Sequence, residues 1–228
     1  SALSVSQRTR GAHIAAAEYF AEEVRREVLD KYGEKKLYEG GLSVRTTLDP
    51  KIQLIARNAF TNGLINFDET QGYRGPVTKL DLATGDWGVK LADVRALSDV
   101  APWRLAVVLD VNDQSARIGF QPPREPGGAV VRERQIGNVP VEGIKWARPA
   151  SSTGIAAPKG GITKVSQVLN PGDVVYVEPN AKDPTQFRLR QVPEISGAMV
   201  VMDPTTGRVL AIVGGFSFDQ SQFDRATQ

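Results

Sequence analysis

The clearest hydrophobic pattern lies near the end of the chain. An apolar run from Ala198 to Met202, a tight turn (Asp203-Pro204-Thr205-Thr206-Gly207) and a second apolar run from Val209 to Val213 predict a β-hairpin. Both arms are apolar on both faces, so each is expected to be buried on two sides. Nothing downstream in the sequence supplies the cover, and the chain reads as a piece of a longer protein.

Upstream, the pattern changes to helix. Between Ala12 and Tyr32, Phe20, Val24 and Val28 recur every four residues beside Ala17 and Ala21, and Gly33 stands where a helix would stop. Leu42 to Leu48 alternates and predicts a strand. Asp49-Pro50 then caps and opens a second helix. Ile52, Ile55, Ala56, Ala59 and Phe60 form its apolar stripe, and Gly63 is expected to end it.

The middle of the chain reads as short strands. After a Gly/Pro-rich entry (Gly72, Gly75-Pro76), a helical turn is predicted near Leu91 to Leu97. Strands follow over Leu105–Val111, Ser115–Phe120, Val130–Ile136 and Val174–Val177, and a last one alternates through Phe187 and Leu189. Turns at Asn112-Asp113, Asn170-Pro171-Gly172-Asp173 and Asp183-Pro184 separate them. Such spacing predicts a small closed barrel of the OB type. Pro149 to Gln167, rich in Ser, Gly, Pro and Ala, is a long loop, and loops of that length are functional or mobile.

Composition excludes more than it proposes. The chain has no cysteine, one histidine (His13) and a net charge of +2. Disulfides, thiol catalysis and the usual zinc sites are therefore out of reach, and the charge is too mild to mark a nucleic-acid binder. No cofactor or metal ligand set is legible. No apolar run approaches the roughly 18–20 residues of a membrane span. Residues 145–192 do carry a local excess of four positive charges, which reads as a solvated face before it reads as a site. Trp87, Trp103 and Trp146 could serve as stacking platforms for single strands, but the aromatics are few and not interleaved with basic clusters, so core or rim packing is the better account.

Several motifs carry a resemblance. They are Asp203-Pro204-x-Thr206-Gly207-Arg208-Val209-Leu210-Ala211, Gly214-Gly215, Ser221-Gln222-Phe223-Asp224-Arg225-Ala226-Thr227-Gln228, Gly41 to Pro50, and Ile144-Lys145-Trp146-Ala147-Arg148. Together they resemble the class A, bifunctional penicillin-binding proteins, of the 1A type. Asp224 departs from the pattern, which usually has Asn there. The resemblance implies an α+β, mainly β fold: a small OB-like β-barrel inserted into an incomplete strand-helix-hairpin portion of a penicillin-binding transpeptidase domain. It divides the chain into residues 1–66 (linker helix, strand and helix of the transpeptidase body), 67–195 (OB-like domain) and 196–228 (first transpeptidase hairpin).

The same resemblance implies a periplasmic peptidoglycan synthase, anchored in the inner membrane, with glycosyltransferase and DD-transpeptidase activities. This chain is expected to hold neither activity. Penicillin-binding proteins use Ser-x-x-Lys, Ser-x-Asn and Lys-Thr-Gly elements, and no serine or lysine here stands in any of them. A transpeptidase needs a serine with a base in reach, and His13, in an Ala-rich stretch, makes a Ser-His-Asp triad improbable. What remains is an inter-domain scaffold and regulator-docking module. Its partners would be the remaining glycosyltransferase and transpeptidase domains, an outer-membrane lipoprotein activator or other cell-wall synthesis proteins. Trp146, Arg148, Lys159 and Lys164 are the contact candidates. The alternative is a free-standing OB-type binding domain for oligosaccharide or single-stranded nucleic acid.

Overall fold

Asp49 caps the second predicted helix as its chemistry requires, its Oδ1 accepting from the N–H groups of Lys51 (2.9 Å) and Ile52 (3.1 Å). The computed structural model describes residues 16–154 and 160–228. Contacts divide the chain into two units, one of residues up to Leu64 together with Ile195–Gln228, the other of Ile65–Glu194.

In the first unit, helix α1 (Glu18–Glu39) breaks its own geometry at Gly33, with φ 77° and ψ 164°. Gly33 is thus the glycine-only position that the sequence suggests, but helix resumes beyond it. The predicted residues before position 16 lie outside the described ones. Helix α2 (Pro50–Gln71) runs straight through Gly63. A helical glycine costs only about 1 kcal/mol relative to alanine, and the burial of Leu64, Ile65 and Asp68 just beyond it outweighs that. From Ile65 on, α2 belongs to the second unit.

The apolar stripe of α2 is rotated from the one expected. Ala56 is buried, but Ile55 is 67% exposed and the inward position falls to Gln53, only 2% exposed. Its side chain explains the rotation. In the hairpin of β7 (Met199–Met202) and β8 (Val209–Val213), Ile212 donates its N–H to Gln53 Oε1 at 3.0 Å. Gln53 Nε2 donates to the carbonyls of Ile212 (2.8 Å) and Ala16 (2.6 Å). One amide thereby behaves as a strand residue along the edge of β8.

The predicted strand at Leu42–Leu48 does not form a ladder; Leu42 and Val44 are exposed. That segment meets β8 only at its end, where Asp49 N–H donates to Leu210 O at 3.0 Å and the Thr47 hydroxyl to Val209 O. Two-sided burial holds for Ala211 to Val213 and fails for β7, whose Val200 and Met202 are 43% and 53% exposed. Among the described residues, α2 packs Ala56 against Ala211 and Val213 on one face, and Tyr19 and Phe20 of α1 reach Ile212 on the other.

The second unit holds β1 (Thr78–Lys79), α3 (Trp87–Ala92), β2 (Arg104–Val111), β3 (Ser115–Phe120), β4 (Ile136–Pro140), β5 (Asp173–Pro179) and β6 (Phe187–Arg190). Helix α3 starts earlier than the expected turn because Asp86 caps it, accepting from Gly88 N–H at 2.7 Å. Strand β4 starts where Val130–Ile136 was expected to end. Val139 supplies its buried centre, opposite Ala116, whereas Arg134 turns away to pair with Asp86.

All pairings are antiparallel, in the order β1-β5-β2-β3-β4, with β6 also on β5. The expected closed barrel is not closed. Between β4 and β6 stands a single parallel bridge, Asn138 to Gln186. Aromatic packing fills the seam instead: the Phe120 and Phe187 rings lie 4.7 Å apart, and a Cβ on Gly137 would come within 2.7 Å of the Phe187 ring.

The role of Gln53 is testable. Gln53→Ala leaves two backbone groups of Ile212 unpaired, each at about 1–3 kcal/mol. Denaturant unfolding should show a loss of at least about 2 kcal/mol. Ile55→Ser, at the exposed position the periodicity favoured, should stay within about 0.5 kcal/mol.

Candidate functional site

The contact candidates fall on the second unit. Trp146 follows a 3-10 turn (Val141–Ile144) rather than ending a strand. Its ring stands edge-on to Tyr73, with centroids 6.0 Å apart at 89°, and its Nε1–H donates to Leu189 O at 3.0 Å. Arg148 is exposed, yet its backbone is fixed: Tyr73 N–H donates to Arg148 O at 2.6 Å, and Ala150 N–H donates to Tyr73 O at 2.9 Å. Gly72, at φ 96°, permits this approach, since a Cβ there would lie 2.7 Å from Arg148 O. The Trp146–Arg148 segment therefore seats the chain where it enters the β-sheet unit.

Lys164 lies elsewhere, before a short 3-10 turn (Val165–Gln167), with Nζ 2.8 Å from Asp113 Oδ2 in the β2–β3 turn. The Lys164 hydrogen bond, then its charge, holds the Asp113 carboxyl below its ordinary range, and the same contact raises the Lys164 ammonium. No hydrogen bond or ion pair joins Lys164 to Trp146 or Arg148 among the described residues. Lys159 and His13 lie outside the described residues.

Much of the local positive charge is paired, with carboxylates both inside and outside the window. Arg188 and Arg190 both reach Glu69 at the end of α2, Arg190 also binds Glu178, and Lys145 sits 3.6 Å from Glu142. The tryptophans are packed rather than displayed. Trp103 is 9% exposed beside Tyr176, and the benzo edge of Trp87 lies over Gly119.

A second cluster joins the unit's entry and exit. Asp68, 1% exposed, accepts from both terminal nitrogens of Arg74 (2.9 and 3.0 Å), from Gln191 Nε2 (2.8 Å) and from Glu194 N–H (3.2 Å). Arg74 donates further to Val192 O at 2.9 Å, and its own N–H donates to Gln191 Oε1 at 2.8 Å. The sequence reading missed this clamp because its two halves are over a hundred residues apart. One signal was present: Asp68 and Glu69 sit in the last turn of a helix, where the macrodipole disfavours anions, so cations had to hold them.

Clefts open on this unit. One, about 490 Å³, lies beside β6 and includes Glu142, Glu178, Arg188 and Arg190. Another, about 610 Å³, lies on the outer face of β2, β3 and β4. No group of His, Cys, Asp or Glu suited to a metal ion occurs among the described residues. In the first unit Asp224 is 2% exposed; Oδ1 accepts from Ala226 N–H at 2.9 Å, and Oδ2 has no hydrogen-bond partner.

Residues 73–195 match the family model of the penicillin-binding protein OB-like domain. This chain belongs to the penicillin-binding proteins. It is 38% identical over 213 residues to penicillin-binding protein 1A of Rickettsia prowazekii (strain Madrid E), covering 93% of this chain and 24% of the relative. To penicillin-binding protein 1A of Escherichia coli (strain K12) it is 35% identical over 216 residues, 93% of this chain and 23% of the relative. A crystal structure of penicillin-binding protein 1A from Haemophilus influenzae aligns with a TM-score of 0.69 at 26% identity, over 99% of this chain and 29% of that one. The 1A-type resemblance read from the motifs is thus supported along nearly the whole chain. The chain spans about a quarter of the length of these relatives.

Two predictions follow from the geometry of this penicillin-binding protein region. Asp68→Ala removes the buried acceptor shared by Arg74, Gln191 Nε2 and the Glu194 N–H and should cost about 3–5 kcal/mol in denaturant unfolding, whereas Glu194→Ala, whose carboxylate lies 3.0 Å from Arg74 Nε but is 75% exposed, should cost less than about 1 kcal/mol. Equal effects would contradict the clamp. Asp113 titrates below its ordinary 3.8, so its contribution to stability is complete above that value and is lost as pH falls through the lower folded one. In Lys164→Ala the Asp113 midpoint should rise towards 3.8 in a carboxyl chemical-shift titration; an unchanged midpoint would show that the pair does not form in solution.

Proposed function

We propose that this chain is a non-catalytic region of a bifunctional peptidoglycan synthase, in which the OB-like unit serves as an inter-domain scaffold and a docking module for a regulator. The observation that carries this reading is the Asp68–Arg74–Gln191 clamp. It pins the entry and exit of the unit together, as a module inserted into another domain requires. The whole protein supplies the glycosyltransferase and transpeptidase domains, sits on the periplasmic side, and is anchored by a membrane helix. Among the described residues no helix is long and apolar enough to cross a membrane. An outer-membrane lipoprotein activator or another cell-wall synthesis protein is the docking partner, and Arg148, Lys159 and Lys164 are its contacts. A nucleic-acid role gains no support, since the tryptophans are packed and most of the local positive charge is paired.

Fluorescent penicillin separates the parts of this reading. The 228-residue chain should remain unlabelled, while the full-length protein is acylated; labelling of the chain itself would sink the non-catalytic assignment. In the full-length protein, Arg148→Glu with Lys164→Glu should reduce stimulation by the activator about tenfold or more, the loss of one or two charge-assisted contacts, and leave acylation unchanged. Stimulation that survives both substitutions would remove the docking role.

A further inference from the structure

Most charged side chains of the second unit have partners; Asp110 and Arg117, facing each other on adjacent strands, are among those that do not. Asp110 on β2 stands directly opposite Arg117 on β3, and Arg117 directly opposite Asn138 on β4. Ala116, Ile118 and Val139 on either side of them are fully buried, so the alternation of the strands turns all three side chains onto the outer face. A bulge between Val108 and Asp110 places Asp110 in that row, a device strands use to re-aim a side chain. Opposite charges at facing positions have Cβ atoms about 5 Å apart and ordinarily pair. Here neither Asp110, Arg117 nor the Asn138 side chain makes a hydrogen bond or ion pair to another described residue. All three line one groove of about 610 Å³, with Ser115 and Thr185 on its rim and Ile136, 54% exposed, as its apolar contact.

The chemistry of the row limits what it can bind. It presents an acceptor, a planar fork of donors, and an amide that does both, with no net charge. A polyanion would gain nothing from it. A polyol, whose hydroxyls both donate and accept, matches it group for group. Three adjacent strands at about 4.8 Å spacing set a row of roughly 10 Å, the length of one disaccharide unit.

We infer that the outer face of β2, β3 and β4 is a binding site for an uncharged, N-acetylated glycan strand, with Asp110, Arg117 and Asn138 as its polar contacts. Asp110 accepts from sugar hydroxyls, Arg117 donates to hydroxyl and acetamido oxygens, and Asn138 does both. Ile136 covers the apolar face of a ring. The assignment rests on the reading of the parent as a peptidoglycan synthase, for which such a strand is the product.

The test is a titration of the 228-residue chain with a β-1,4-linked N-acetylglucosamine tetramer, followed by backbone amide chemical shifts. Saturable shifts should be confined to β2, β3 and β4, and added salt should leave the affinity unchanged. Arg117→Ala and Asn138→Ala should each weaken binding about tenfold, the loss of one hydrogen bond to a polar or charged group, with the circular-dichroism spectrum intact. Lys182→Ala, at an exposed lysine outside the row, should change nothing. Absence of saturable shifts, shifts centred elsewhere, or affinity unmoved by both variants would overturn the site. So would a stem peptide that perturbs the face when the tetramer does not. Penicillin acylation of the full-length protein is independent of this outcome, so a silent face beside an acylated parent would sink the glycan site alone.

Discussion

The second unit depends on one buried carboxylate. Asp68 ends a helix, where an anion is disfavoured by the backbone dipole, and it is 1% exposed. It is tolerable there only because Arg74, Gln191 and the Glu194 N–H surround it with donors. Those donors come from the chain just after it enters the unit and just before it leaves. The electrostatic need of one side chain therefore fixes the topology: the two crossings must lie side by side. Glu69, next along the helix and 10% exposed at its side chain, repeats the arrangement with Arg188 and Arg190.

A unit held at its neck need not be closed at its waist. Strands β4 and β6 share one bridge where a closed barrel would have a ladder, and the Phe120–Phe187 pair fills the gap over Gly137. Ring packing of this kind leaves polar groups on the strands near the seam free of internal duties. The row from Asp110 to Asn138 lies on the opposite, outer face of the sheet, where it lines a groove.

Elements whose signals are local were legible in the sequence. The hairpin turn carries its own Asp203 and Gly207, α2 its own Asp49 cap, β2, β3 and β5 their own apolar runs between turn residues, and β6 its alternation. Legibility failed where a distant partner overrode a local preference. Gln53 displaced Ile55 from the inward face because Ile212 needed an amide. Leu42 to Leu48 alternates like a strand but has no edge to pair with over most of its length. Gly63 was read as a stop because the buried residues past it belong to the next unit. The contact candidates were judged from residue type alone, so the sequence could not say that Trp146 braces Tyr73 or that Lys164 is tied to Asp113. The clamp and the unpaired row depend on register between strands, which no single stretch of sequence encodes.

The bonds of the clamp require the entry and exit of the OB-like unit to be as firmly held as its core. Native-state hydrogen exchange on the 228-residue chain measures this residue by residue. The amides of Tyr73, Arg74 and Glu194, bonded to Arg148 O, Gln191 Oε1 and Asp68 Oδ1, should exchange with the same opening free energy as those of β2 and β5. If those three exchange like exposed loop amides while the core strands stay protected, the clamp does not hold the unit and the account is wrong.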